Sequence, residues 1–272
     1  MSAQAAFIEF RSLTKTFEQH GAPDISVVEP LSLSIAEGEF VVFVGPSGCG
    51  KTTVMRLVGG LETPTTGEVL LAGKPVRGPS REKGMVFQSY SSFPWLTVLG
   101  NIRFGLKYRN DLTAADKERI ARHYLEVVGL TPFADFHISR ISGGMRQRVA
   151  IARTLAAGPL VLLMDEPFGA LDALTRERLQ MQLLELRMAE RKTIIFVTHD
   201  VDEAVLLADR IIAFSARPAR VLSDIAVGAQ LPAERSLEVT ELPAFRKLRQ
   251  LVLSLIRNEE MRTEQAELAA AS

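Results

Sequence analysis

The sequence predicts an α/β fold: a parallel core sheet, an antiparallel β layer beside it, and a helical insertion. Three observations predict it. Phe40-Val41-Val42-Phe43-Val44 is an unbroken apolar run and reads as a strand buried on both faces. Later, strand-like stretches at 160–164, 193–198 and 211–214 alternate with helical stretches at 173–191 and 201–208. That order implies right-handed crossovers and a parallel sheet. Short alternating strands at the front point to a separate antiparallel layer.

The first of these front strands covers 7–10. Leu31-Ser32-Leu33-Ser34-Ile35 is apolar at every second position, so one face should be buried. A strand at 68–71 follows the turn-like Pro64-Thr65-Thr66-Gly67, and 84–87 is another short apolar run. From 89 to about 158 the texture becomes helical. Thr113 offers a cap and Asp116 suits the positive end of a helix dipole; Ile120, Tyr124, Val127 and Val128 then recur at helical spacing until Gly129. After Ser215 the signal weakens. Phe245, Leu248, Val252, Leu255 and Ile256 form a stripe on a C-terminal helix, which either docks on its own domain or meets a partner. The polar, alanine-rich stretch 259–272 is expected to fray. The resulting division is a core of 1–88 and 159–240, a helical subdomain of 89–158, and a C-terminal helix and tail of 241–272.

Composition excludes several classes. Thirty-two basic residues balance thirty-two acidic ones, so bulk charge advertises neither nucleic acid nor an anionic membrane. Cys49 is the only cysteine, which rules out an intramolecular disulfide and fits a reducing compartment. The four histidines lack ligand spacing, so no zinc is expected. No signal peptide is evident, and no stretch reaches the roughly 18 apolar residues of a bilayer span. A soluble chain is expected.

Directly after the 40–44 strand stands Gly45-Pro46-Ser47-Gly48-Cys49-Gly50-Lys51-Thr52-Thr53, followed by a stretch, 51–61, that suits a helix. Strand, glycine-rich turn and helix make G-x-x-x-x-G-K-[ST] a phosphate-binding loop, the mark of a P-loop NTPase. Gly45, Gly48 and Gly50 let backbone N–H groups turn inward, and the helix start adds its own N–H groups and dipole. Lys51 would reach the β- and γ-phosphates, and the Thr52 hydroxyl would ligate Mg²⁺.

A second constellation ends the 160–164 strand, where Asp165 and Glu166 stand together before Pro167. At the carboxyl edge of a parallel sheet, Asp165 can meet the Mg²⁺ directly or through water. Glu166 can orient or deprotonate an attacking water. A third is Ile141-Ser142-Gly143-Gly144-Met145-Arg146-Gln147-Arg148. Ser142 would cap a helix over 143–157 whose glycine start is a second anion site. One nucleotide does not obviously need both.

Together these motifs resemble the ATP-binding cassette (ABC) ATPase family over roughly residues 7–214. The loop and the Asp165–Glu166 strand match its Walker motifs. Ile141 to Met145 resembles its Leu-Ser-Gly-Gly-Gln signature, departing at Ile141 and Met145. The resemblance implies that Gln88 senses Mg²⁺ and the attacking water, and that His199 contacts the γ-phosphate. It makes Gly169-Ala170-Leu171-Asp172 the loop that links two nucleotide sites. Phe17 fits the aromatic that stacks on adenine, although a phenylalanine there also reads as core. Tyr90, Phe93 and Trp95 fit either an interface with a membrane partner or a small core of the insertion.

The resemblance also explains two anion sites. In a head-to-tail homodimer, ATP bound by one chain's Lys51 loop meets Ser142, Gly143, Gly144 and Met145 of the other, and hydrolysis reopens the pair. ATP and Mg²⁺ are the implied cofactors. The implied role is a peripheral energy-coupling subunit on the cytoplasmic face of the inner membrane. It would serve two integral-membrane permease subunits and, indirectly, an extracytoplasmic solute-binding protein, with no nucleic acid. Ser142 to Arg148, Phe93-Pro94-Trp95-Leu96-Thr97-Val98 and Ala216-Arg217-Pro218-Ala219-Arg220-Val221 resemble the nitrate/sulfonate/taurine importer branch. The alternative is a soluble ABC-type ATPase acting on DNA or ribosomes, which would bring a coiled coil or a second nucleotide domain. A small-molecule kinase would leave the Ser142 site unexplained.

Overall fold

A computed structural model of the protein describes residues 6–88, 92–190 and 192–270. Its strands are β1 (Ala6–Phe17), β2 (Ile25–Ala36), β3 (Phe40–Val44), β4 (Thr66–Leu71), β5 (Lys74–Pro75), β6 (Lys83–Val86), β7 (Val161–Asp165), β8 (Thr193–Val197), β9 (Arg210–Phe214) and β10 (Val221–Ala226). Its α-helices are α1 (Lys51–Gly59), α2 (Val98–Gly105), α3 (Ala114–Val127), α4 (Gly143–Ala156), α5 (Ala173–Glu190), α6 (Val201–Leu207) and α7 (Pro243–Ala270). They form two compact units, Met1–Ser80 with Arg187–Ser272, and Arg81–Leu186.

In the first unit, an antiparallel sheet runs in the order β2-β1-β4-β5. Ile8 pairs with Ile35 and Leu71, and Phe10 with Leu33 and Val69. Leu31 and Ile35 are buried and Leu33 is half-buried, as strict alternation requires. β1 and β2 each run to 12 residues, well beyond the stretches legible in the sequence. The pairing shifts register between Phe10 and Leu13 and again before Lys15, and Ser12 has φ +43°. Such bulges break the period-two pattern that reveals a strand.

The same unit carries parallel strands. β3 pairs with both β8 and β9, setting Val42 opposite Phe196 and Ile211. All residues of β3 and β8 are buried, and 40–44 and 194–197 read as continuous apolar runs. β10 lies antiparallel on β9 with only Ile225 buried among its six residues, which is why its sequence signal is faint. On α7, Phe245, Leu248 and Val252 are buried against a surface that includes α6 and β9. Each such burial is worth about 1.5–3 kcal/mol, so the stripe docks the helix on its own unit. α7 runs as helix through the stretch expected to fray from 259, as far as Ala270, and Glu259 is itself buried.

In the second unit, β6 and β7 pair in parallel, Met85 opposite Leu163. Helices α2, α3 and α4 pack on one another. Thr113 and Asp116 form a reciprocal capping box at the start of α3. The buried face of α3 is Ala121, Tyr124, Leu125 and Val128, so Ile120 and Val127 flank it. The helix stops at Gly129, whose φ is +66°. The aromatics of this region divide. Phe93 lies 4.4 Å from Phe104 and 4.9 Å from the Arg153 guanidinium, whereas Trp95 is 69% exposed. Tyr90 lies outside the described residues.

Candidate active site

The phosphate loop belongs to the first unit and is built from backbone. β3 delivers the chain to Gly45, which has φ +149°, and a Cβ there would lie 2.7 Å from the Phe214 carbonyl oxygen. Gly50 has φ +118°, and its Cβ would lie 2.9 Å from the Val27 carbonyl oxygen. Neither position admits a side chain without moving backbone. Gly50 is also the N-cap of α1, where no side chain caps the helix and no acidic residue occupies the first turn. A helix start of that kind offers N–H groups and dipole to an anion. Lys51 is 7% exposed, and its Nζ donates to the carbonyls of Gly45 at 2.8 Å and Pro46 at 2.7 Å. The ammonium is thus folded back over the loop, with Cys49 Sγ 3.6 Å away.

His199 leaves β8 exposed, but the chain around it is fastened. The Thr198 hydroxyl donates to Glu203 Oε2 at 2.8 Å and accepts from the Asp200 N–H at 3.0 Å. Asp200 in turn caps α6, accepting from the N–H groups of Asp202 and Glu203. Phe17, at the end of β1, is 37% exposed, with Lys15 Nζ 4.6 Å from its ring centroid. It is not a core residue.

In the second unit, β7 is buried throughout and ends on Asp165, only 4% exposed. Glu166 follows with φ +45°. A residue with a β-carbon held there carries about 1–3 kcal/mol of backbone strain. Gln88 Nε2 donates to Glu166 Oε2 at 3.0 Å. Two residues 78 positions apart, singled out separately, therefore meet directly.

Ser142 caps α4, its hydroxyl accepting from the Met145 N–H at 3.3 Å. Gly144 faces the 169–172 loop; a Cβ there would lie 3.2 Å from the Ala170 carbonyl oxygen. Asp172, at the end of that loop, accepts from the Thr175 N–H at 3.0 Å, which holds its carboxyl below the usual range.

Sequence reasoning gave no role of their own to two residues that hold these groups. Gln147, buried in α4, donates to the Phe87 carbonyl at 3.5 Å and so touches the residue before Gln88. Glu203 steadies the residue before His199. A polar side chain on a helix's buried face was the available signal in both cases.

A family model described as ABC transporter matches residues 28–169. A Brucella abortus protein described as ATP-binding is 49% identical over 238 residues, covering 88% of this chain and 90% of the relative. The nitrate import ATP-binding protein NrtD of Synechocystis is 43% identical, covering 91% of this chain and 93% of its own. The taurine import ATP-binding protein TauB of Roseobacter denitrificans is 41% identical, covering 92% and 93%. Among solved structures, the dimeric post-hydrolysis state of the ATP-binding cassette MJ0796 bound to ADP and Pi superimposes with a TM-score of 0.74. It is 34% identical, covering 81% of this chain and 98% of that one. With its α/β architecture and phosphate loop, the chain belongs to the ABC transporter family and is one of its ATP-hydrolysing cassettes.

Proposed function

We propose that this chain is the energy-coupling subunit of an importer for a small solute of the nitrate, sulfonate or taurine kind. It would work as an ATP-bound homodimer on two integral-membrane permease subunits, at the cytoplasmic face of the inner membrane. An extracytoplasmic binding protein would deliver the cargo. The import functions named for the relatives in Synechocystis and Roseobacter support the cargo class. A separate permease is in keeping with the described residues, none of whose helices is long and apolar enough to cross a membrane.

The observation that carries the chemistry is the Gln88–Glu166 hydrogen bond at the end of β7. Glu166 is the general base: it takes a proton from water as the water oxygen bonds to the γ-phosphorus and the bond to ADP breaks. Gln88 holds that carboxylate in place. Lys51 balances charge on the β- and γ-phosphates, and His199 contacts the γ-phosphate. Phe17 offers its exposed ring to adenine. Ser142, Gly143, Gly144 and Met145 serve the ATP of the partner chain.

The described residues contain no cluster of three or more His, Cys, Asp or Glu, so a metal cage made only of protein is absent among them. Thr52, Gln88 and Asp165 supply hard oxygen donors, the kind Mg²⁺ accepts a few at a time beside phosphate oxygens. Those residues would hold the ion, which neutralises phosphate charge when bound.

Uptake of nitrate, taurine and alkanesulfonates by a deletion strain tests the reading. One of these uptakes should vanish, returning with the wild-type gene but not with Lys51→Ala. Unchanged uptake of all three would reject the cargo class. ATPase activity stimulated by DNA or ribosomes, with no co-purifying permease, would reject the transport role itself.

A further inference from the structure

We propose that Arg217 is a positioning residue for nucleotide binding, acting through the Gly48 carbonyl and held there by α7. The guanidinium donates to that one oxygen twice, from Nε at 3.2 Å and from Nη2 at 2.9 Å. In a trans peptide the C=O and the following N–H point to opposite sides. Turning the Gly48 carbonyl toward Arg217 therefore sends the Cys49 N–H into the loop, where it meets the Pro46 carbonyl at 3.4 Å. Gly48 has φ +70° and no β-carbon to bias its backbone, so this peptide benefits from an external hold. Lys51 bonds to the carbonyls of Gly45 and Pro46, earlier in the loop.

Arg217 is itself located by a chain of contacts. Its neighbour Ala216 donates its N–H to Glu259 Oε1 at 3.1 Å, and Glu259 is 7% exposed on α7. The Ser215 hydroxyl donates toward the Pro218 carbonyl at 2.9 Å and accepts from the Arg220 N–H at 3.0 Å, closing the turn. The polar path thus runs from Glu259 through Ala216 and Arg217 to Gly48. Glu260 and Glu264 line the same open pocket, of about 570 Å³, as Arg217 and the outer face of the loop. Two carboxylates make that pocket a poor seat for a phosphate, so the guanidinium orients backbone and does not bind the ligand. Residues 216–221, read in the sequence only as a mark of one importer branch, acquire a physical role.

The proposal rests on reading residues 45–53 as the nucleotide loop, and the test separates the two. Binding of MgATP and MgADP to the purified full chain is measured for wild type, Lys51→Ala, Arg217→Ala, Arg217→Lys and Glu259→Met. Arg217→Ala should weaken both nucleotides about tenfold, the effect of losing a charge-assisted hydrogen bond. Its kcat at saturating ATP should stay within about twofold of wild type, because the loss is in uniform binding. Arg217→Lys, a point charge without the fork, should recover only part of the affinity. Glu259→Met should shift affinity in the same direction and by less. The melting temperature without nucleotide separates positioning from folding: affinity that falls only in step with the folded fraction would overturn the proposal. So would full recovery by Arg217→Lys, which would make Arg217 a simple field charge. Unchanged affinity in Arg217→Ala, with binding abolished in Lys51→Ala, would overturn the proposal and leave the loop reading standing. Undiminished binding in Lys51→Ala would overturn both.

Discussion

The phosphate loop and the Gln88–Glu166 pair are made of different material. Around 45–53 the shape is set by backbone: Gly45 and Gly50 stand where a β-carbon would strike the carbonyls of Phe214 and Val27. Side chains enter there chiefly as Lys51, which bonds to the carbonyls of Gly45 and Pro46, and Arg217, which bonds to that of Gly48. In the second unit the reverse holds. β7 brings the chain to a fixed point, and the proposed function then rests on the Glu166 carboxylate, the Gln88 amide and the Ser142 hydroxyl. A change in the first region should therefore disturb folding and binding together. A change in the second should alter chemistry and leave the scaffold intact.

The largest effect expected from that contrast is in Glu166→Gln. The amide keeps size and the ability to pair with Gln88 but accepts no proton from water. Turnover should fall about a thousandfold, in the range that general bases contribute. Melting temperature and ATP affinity should match wild type, and an ATP-bound dimer should accumulate on gel filtration. Wild-type turnover would remove Glu166 from catalysis. Loss of stability would break the comparison instead, placing a structural duty on the carboxylate.

Gly50→Ala should do the opposite. With φ +118° and the Val27 carbonyl oxygen 2.9 Å from the new β-carbon, α1 must shift or the loop must open. The cost should be about 1–3 kcal/mol in a denaturant titration, accompanied by loss of nucleotide binding. Preserved affinity with unchanged stability would show that the loop tolerates a side chain, and the backbone half of the comparison would fall.

How much could be read from sequence follows the same division. β3, β7 and β8 were legible because buried parallel strands carry runs of at least four apolar residues, and Thr113 and Ser142 because capping uses few residue types. The second half of β1 and the first half of β2, which pair with each other, were hidden by register shifts, and β10 by its half-exposed pattern. At the site, the residue types of Lys51, Glu166 and Gln88 could be picked out one by one. Their contacts could not. The Gln88–Glu166 bond joins positions 78 apart, and Arg217 meets Gly48 across 169. Neither partner's identity encodes the other. The long C-terminal helix was recognised by its stripe, yet the contact of its buried Glu259 carboxylate with the distant Ala216 N–H was not.

The smallest effect is the most discriminating, because Ser142 has a foot in both kinds of site. Its hydroxyl caps α4, and the helix start it occupies is the proposed contact for a partner's ATP. Ser142→Ala should cost about 1 kcal/mol of stability from the lost cap, so its effect on turnover mixes two causes. Ser142→Asp separates them. Aspartate caps a helix as well as serine does and adds favourable charge at the dipole's positive end, so the melting temperature should hold or rise slightly. The same carboxylate would repel a γ-phosphate arriving from the partner. ATP should then bind each chain normally through the Lys51 loop while the ATP-dependent dimer fails to form. Light scattering with Glu166→Gln as background would read this directly. A normal dimer in the doubly substituted chain would confine Ser142 to capping and return the second unit's function to Glu166 and Gln88 alone.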